Sequence, residues 1–174
     1  MLSIKNLLFL AVAATGSVIK RDVAQVKKDL DTINSDTIAV TNAVNGYTGG
    51  LASAFPIVTA QQQLSKDLKS ATANAQDTGV VSEPDADDII AYIINTLEPN
   101  IETSLSDLEA KKSQFDADGL TSTVHDSLQS LHTDTSNYGN ALTAGAPPSK
   151  KPQAEAVQNK IDARFVKAIA TFSS

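Results

Sequence analysis

The sequence predicts an all-α, single-domain, mostly antiparallel five-helix bundle. Apolar and small residues recur in steps of three and four along most of the 174 residues, the period of a helix with one buried face. The main breaks fall between these runs, at Gly49-Gly50, Gly79, Gly119 and Gly145 to Pro148, where glycine and proline end helices. Aromatics make up 5% of the chain and Trp is absent, which suits close-packed helices better than a sandwich or barrel.

Residues 1–17 read as a signal peptide. Lys5 gives the positive start, Leu7 to Ala14 a short apolar core, and Ala11-Val12-Ala13 an A-x-A cleavage pattern. That core is too short to span a bilayer. Residues 18–21 form a short pro-segment ending in the dibasic pair Lys20-Arg21. The mature domain is then 22–174, starting at Asp22.

The first helix is expected from Asp22 to about Tyr47, with Val23, Val26, Leu30, Ile33, Thr37, Val40, Val44 and Tyr47 in alternating steps. Asp22, Asp29 and Asp31 lie toward its start, where the macrodipole favours negative charge. A second helix runs from about Gly50 to Ala75, with Leu51, Phe55, Val58, Leu64, Leu68, Ala71 and Ala75 facing inward. Pro56 falls in its first turns, where proline costs least.

The third helix opens with the best-marked start in the chain, Ser82-Glu83-Pro84-Asp85, an S-x-x-D capping box with proline at an early position. Ile89, Ile90, Tyr92, Ile93, Ile94 and Leu97 then cover well over half of the circumference, too wide for a single buried face, so this helix is expected at the centre of the bundle. Its buried line continues through Ile101, Leu105, Leu108 and Phe115. Pro99 removes a backbone donor and clashes with the preceding turn, which predicts a kink near Leu97 without a break. The fourth helix carries Leu120, Val124, Leu128, Leu131, Thr135, Tyr138 and Leu142. The fifth begins near Pro152 and buries Val157, Ile161, Phe165, Ala168, Ile169 and Phe172. Short connections make successive helices antiparallel.

Composition excludes several functions. Cysteine is absent, so disulfide frameworks, thiol nucleophiles and thiolate metal sites fall away. The net charge is -6, and removing Lys5, Lys20 and Arg21 from 14 basic residues against 20 acidic ones leaves 11 against 20, or -9. That sign opposes nucleic acid and anionic lipid, and the basic pairs Lys27-Lys28 and Lys150-Lys151 are too few to offset it. No long apolar stretch precedes Phe172-Ser173-Ser174, so neither a lipid anchor replacing that end nor a transmembrane anchor is expected. There is no Asn-x-Ser/Thr sequon, while the many Ser and Thr leave O-linked sugar open.

No cofactor motif appears. His125 and His132 stand seven apart on the fourth helix, not at the i, i+4 spacing of a helical metal pair, so the default is a solvated or partly packed pair. Asp85, Asp87 and Asp88 lack calcium-loop spacing and suit a helix N-terminus. Without a G-x-S-x-G elbow or a glycine-rich phosphate loop, neither hydrolysis nor nucleotide binding is supported, and no catalytic or metal residue is nominated.

The leader ending in Lys20-Arg21, the start Asp22-Val23-Ala24-Gln25-Val26 leading to Leu30-Asp31-Thr32-Ile33, the later Leu51-Ala52-Ser53-Ala54-Phe55, and Pro99 in the third helix together resemble the hydrophobic surface-binding protein A family, also called the cell-wall galactomannoprotein family. The resemblance spans the mature chain through arrangement more than any one signature. It implies a secreted or wall-associated fungal protein with a five-helix bundle. It also implies binding of fatty acids between helices, adsorption to hydrophobic surfaces, and recruitment of secreted hydrolases there; cell-wall polysaccharide is a further candidate partner.

For an apolar ligand held between helices, helical phase nominates Leu51, Phe55, Val58, Ile90, Ile94, Leu97, Ile101, Leu128, Leu131, Phe165 and Ile169 as lining. Tyr47, Tyr92 or Tyr138 is nominated for the polar head of the amphiphile. Two alternatives stand beside this carrier: a bundle that loosens and lays its apolar stripes on a surface, and a structural or antigenic wall mannoprotein with a fully packed core.

Overall fold

The apolar period translates almost directly into helix. The computed structural model describes residues 23–173; the leader, the dibasic site and Asp22 lie outside them. Seven α-helices form there: α1 (Val23–Asn45), α2 (Leu51–Thr78), α3 (Glu83–Tyr92), α4 (Glu98–Ala110), α5 (Lys112–Ala117), α6 (Thr121–Gly145) and α7 (Lys151–Thr171). They make five rods, because α3, α4 and α5 succeed one another along the third, and no strand occurs among the described residues.

The third rod leaves the α-helical ladder just before its proline. Ile93–Leu97 is a π-helical turn between α3 and α4, and Glu98 N–H donates to the Ile93 carbonyl five residues back. Pro99 lacks the N–H that would continue the α-helical ladder, and widening the preceding turn by one residue relieves the ring clash. The wider turn also shifts the phase, so that Ile94 is turned outward to 38% exposure. The start of this rod follows its capping residues: Ser82 Oγ accepts from Asp85 N–H at 3.3 Å and donates to the Asp85 carboxylate at 2.6 Å.

The rods close into a ring in which α1 packs on α2, α2 on α6, α6 on α7, α7 on α4, and α4 on α1. Successive rods alternate in direction, and α1 and α2 are tied across by Asn74 Nδ2 to Asp29 at 2.9 Å. Ring order is not chain order, however, so the first and third rods lie side by side and run parallel. Their contacts keep almost constant sequence offset, from Lys27–Asp88 at 2.9 Å through Asn34–Asn100 at 2.8 Å to Asn45–Asp107 at 2.8 Å.

The third rod is therefore a stave of the ring and not its centre. Its wide apolar arc is divided among α1, α7 and the space inside. Leu30, Ile33, Leu64, Leu68, Ile89, Leu105 and Phe165 are buried in a shared core, each large side chain contributing roughly 1.5–3 kcal/mol relative to exposure.

Candidate ligand cavity

The two ends of the ring are built from different residues. At one end Tyr47 stacks on Phe115 with ring centroids 4.4 Å apart, and Phe172 meets Phe115 edge-on at 6.2 Å. The Tyr47 hydroxyl donates to Asp118, whose Oδ2 also accepts from Gly50 N–H at 2.7 Å. Aromatic rings and a satisfied polar cluster thus plug this end.

Small residues form the other end. Val81 N–H donates to the Gly145 carbonyl at 2.9 Å, joining the connection after α2 to the end of α6. A Cβ on Gly145 would lie 2.9 Å from the Gly79 carbonyl oxygen, so this close crossing requires Gly145, while Gly79 is favoured by its own φ of +67°. Ion pairs of Lys150 with Asp87 at 2.5 Å, and of Lys27 with Asp85 and Asp88, surround it.

Between the ends lies a cavity of ≈ 110 Å³, on a measure by which one water needs about 10–15 Å³. All five rods contribute to its wall, from Val26 to Val40 along α1, Leu64 to Thr78 on α2, Ala86 to Leu105 on the third rod, Leu131 to Gly145 on α6, and Ala154 to Phe165 on α7. The α1 portion alone corresponds to a rise of roughly 21 Å. No residue of the wall is charged.

The few polar groups of the wall are mostly occupied. Thr37 and Thr78 hydroxyls donate to the carbonyls of Ile33 and Asn74, each at 2.8 Å, and Thr143 donates to Gln158 at 3.3 Å. Tyr138 differs: its hydroxyl is buried with no protein partner. Burial, and secondarily the charge of Asp29, pushes this phenol well above the ordinary tyrosine range, so it stays a neutral donor. An apolar cavity of this kind does not hold water firmly, since water needs two to four polar partners.

Of the nominated residues, the cavity wall includes Ile90, Leu97, Ile101, Leu131, Phe165 and Tyr138. Leu128 is buried in the core away from it, and Ile169 packs half-buried against the same core. Tyr47 is fully buried in the aromatic plug, and Tyr92 stands beside Asp31 with its pKa pushed up to about 12, chiefly by burial. Leu51, Phe55 and Val58 face solvent, at 74%, 70% and 40% exposure. The inward face of α2 there is Ala54, Ile57 and Ala60, which pack on the core; the larger side chains occupy the neighbouring stripe, for which no rod remains. Wall residues that helical phase did not nominate include Ile33, Val40, Leu64, Leu68 and Leu105. Each was legible as inward-facing, but periodicity does not separate a side chain facing a neighbour from one facing a void.

The other candidates have structural partners. His132 Nε2 lies 2.9 Å from Asp162 and its ring stacks on Phe165 at 5.3 Å, while His125 sits 3.3 Å from Asp126. Among the described residues no cluster of three potential ligands has a geometry for a metal ion, and no helix is long and apolar enough to cross a membrane.

Known proteins share this architecture. AFMP4P, solved in complex with palmitic acid, is 36% identical and superposes with a TM-score of 0.84 over 87% of this chain and 100% of its own. Ligand binding domain 1 of Penicillium marneffei MP1, solved with arachidonic acids, has a TM-score of 0.81 at 19% identity, covering 89% and 99% of the two chains, a likeness of fold. Cell wall mannoprotein 1 of Aspergillus fumigatus is 26% identical over 159 residues, 91% of this chain and 55% of that protein. The chain thus spans about half the length of that curated relative. The model of the hydrophobic surface binding protein A family matches residues 23–144, and with this match across most of the helical ring, the chain belongs to that family.

Proposed function

We propose that this protein is a secreted, wall-associated, non-enzymatic binder of fatty acids or similar amphiphiles, which it holds in the cavity between its rods. The observation that carries this reading is the uncharged, five-sided cavity with the buried, unpartnered Tyr138 hydroxyl in its wall. Ile90, Leu97, Ile101, Leu131 and Phe165 contact the acyl chain, and Tyr138 meets the head. Each methylene buried contributes ~0.8 kcal/mol, so ten supply ~8 kcal/mol before ordering and association costs. The palmitic acid complex of the 36%-identical AFMP4P supports the same assignment. Native mass spectrometry of the secreted protein tests it: a lipid adduct, restored by palmitic acid after delipidation, is expected, and an apo mass unchanged by added lipid contradicts it.

A second activity, adsorption to hydrophobic surfaces, is favoured by Leu51, Phe55 and Val58, which share one outward stripe of α2. Three exposed large apolar residues at i, i+4 and i+7 make a continuous contact for wax or polyester. Secreted hydrolases or wall polysaccharide are partners that such an adsorbed layer brings within reach. Binding to an alkylated film that persists after delipidation tests this second role; equal retention on bare glass contradicts it.

A further inference from the structure

We infer that the head group held inside the cavity is uncharged, an acceptor oxygen of a protonated fatty acid, fatty alcohol or fatty ester, and that Tyr138 donates to it. This rests on the carrier reading above and specifies the ligand class.

Three observations converge. The cavity wall contains no Lys, Arg or His to neutralise a carboxylate, and an isolated ion in an apolar interior is far more costly than its neutral form. The buried polar atom of the wall that lacks a partner is the Tyr138 phenol oxygen, on a residue that is 4% exposed; an acceptor oxygen on a ligand satisfies it, at the gain of one hydrogen bond. The charge that acts on Tyr138 is negative, from Asp29, and it repels a full carboxylate charge far more strongly than the dipole of a carbonyl or hydroxyl group. The basic groups nearest the small-residue end, Lys27 and Lys150, are themselves engaged with Asp85, Asp88 and Asp87.

A fatty acid therefore enters as the neutral acid, and its binding is coupled to proton uptake. Fatty alcohols and esters carry no such linkage. The discrimination is set by the wall itself, since the same methyl surface accepts every acyl chain equally.

Decanoic acid and decan-1-ol, soluble enough to remain monomeric, are the probes. Their affinities for the delipidated wild-type protein and for Tyr138→Phe are measured between pH 5 and 8, with circular dichroism confirming the fold at each pH. Decan-1-ol affinity is expected to be flat with pH. Decanoic acid affinity is expected to fall roughly tenfold per pH unit once the free acid is ionised, as a ligand bound only in its neutral form must. Tyr138→Phe is expected to weaken both probes roughly 3- to 10-fold at pH 5. Decanoic acid binding as tightly at pH 8 as at pH 5 overturns the inference while leaving the carrier reading intact, and so does unchanged decan-1-ol affinity in Tyr138→Phe. Failure of both probes to bind at any pH overturns the carrier reading and this inference with it.

Discussion

Arg164 on α7 grips Glu109 on α4 with both arms of its guanidinium, Nη1 to Oε1 and Nη2 to Oε2, each at 2.9 Å. Its Nε donates to Glu102 at 2.9 Å and Nη2 also reaches Ser106 at 3.0 Å. With its side chain only 9% exposed, Arg164 is the main polar tie between the third rod and α7. Planar bidentate geometry suits Arg and not Lys. Arg164→Ala is expected to lower unfolding free energy by about 2–4 kcal/mol, because it leaves the largely buried Glu109 carboxylate without its cation, with only the long Thr171 hydroxyl contact at 3.4 Å remaining. Urea denaturation measures this; a loss below about 0.5 kcal/mol, typical of surface sites, rules out the locking role.

Tyr138→Phe should behave oppositely in the lipid-free protein. Its hydroxyl is buried without a partner, so removing it relieves a desolvation penalty of about 1–3 kcal/mol. The delipidated variant is expected to melt at or above the wild-type temperature while binding alcohols and acids more weakly. A clear fall in apo stability, read by calorimetry, means that the hydroxyl is satisfied in solution.

The outward stripe of α2 separates adsorption from carriage. Leu51→Gln, Phe55→Gln and Val58→Gln together should leave the fold and soluble lipid binding near wild type, since these side chains are exposed and Gln is a good helix former. Retention on an alkylated quartz-crystal surface should drop several-fold. Undiminished retention would place adsorption elsewhere on the molecule.

Acidity should stabilise the fold within a limited window. Asp36 on α1 faces Asp67 on α2, and its pKa is pushed up to about 6, first by burial and then by that second carboxyl. One Asp36 oxygen is buried without a donor, and a proton shared between the two carboxyls satisfies it. The folded state thus binds the extra proton between the ordinary value of 3.8 and about 6, so stability falls as pH rises across that interval. Asp85, Asp116 and Asp118 are held below the ordinary range, chiefly by Ser82, Lys112 and Tyr47 respectively. Their contribution is present above about pH 4 and is lost as pH falls through their lowered pKa values. Maximum stability is expected near pH 4, with Asp36→Asn flattening the fall between there and about pH 6. Identical urea midpoints at pH 5 and 7.5 in the wild type contradict this.

Most of the architecture was legible because it is written in local period. Val26, Leu30, Ile33, Thr37, Val40 and Val44 are all buried on α1, as their steps of three and four require, and Pro99 marked the π-helical turn at Ile93–Leu97 to within one turn. The same period misplaced Leu51, Phe55 and Val58, because their stripe adjoins the inward face of α2 and hydrophobicity alone does not say which of two adjacent stripes meets a partner. The three tyrosines were equivalent in sequence; their partners made them different.

The sequence by itself determined five rods, their ends and most of their inward arcs, the first half of α2 excepted, since helix phase, caps and breaks are properties of a few consecutive residues. Only the tertiary structure decided that the rods form a ring, that the third is one stave of it, and that the ring encloses a space plugged by Tyr47, Phe115 and Phe172 at one end. Those facts depend on which rods are neighbours and on how completely side chains from five of them fill a shared volume. Each rod fixes its own inward arc; the void, and the Tyr138 hydroxyl left unpaired beside it, exist only where all five arcs meet.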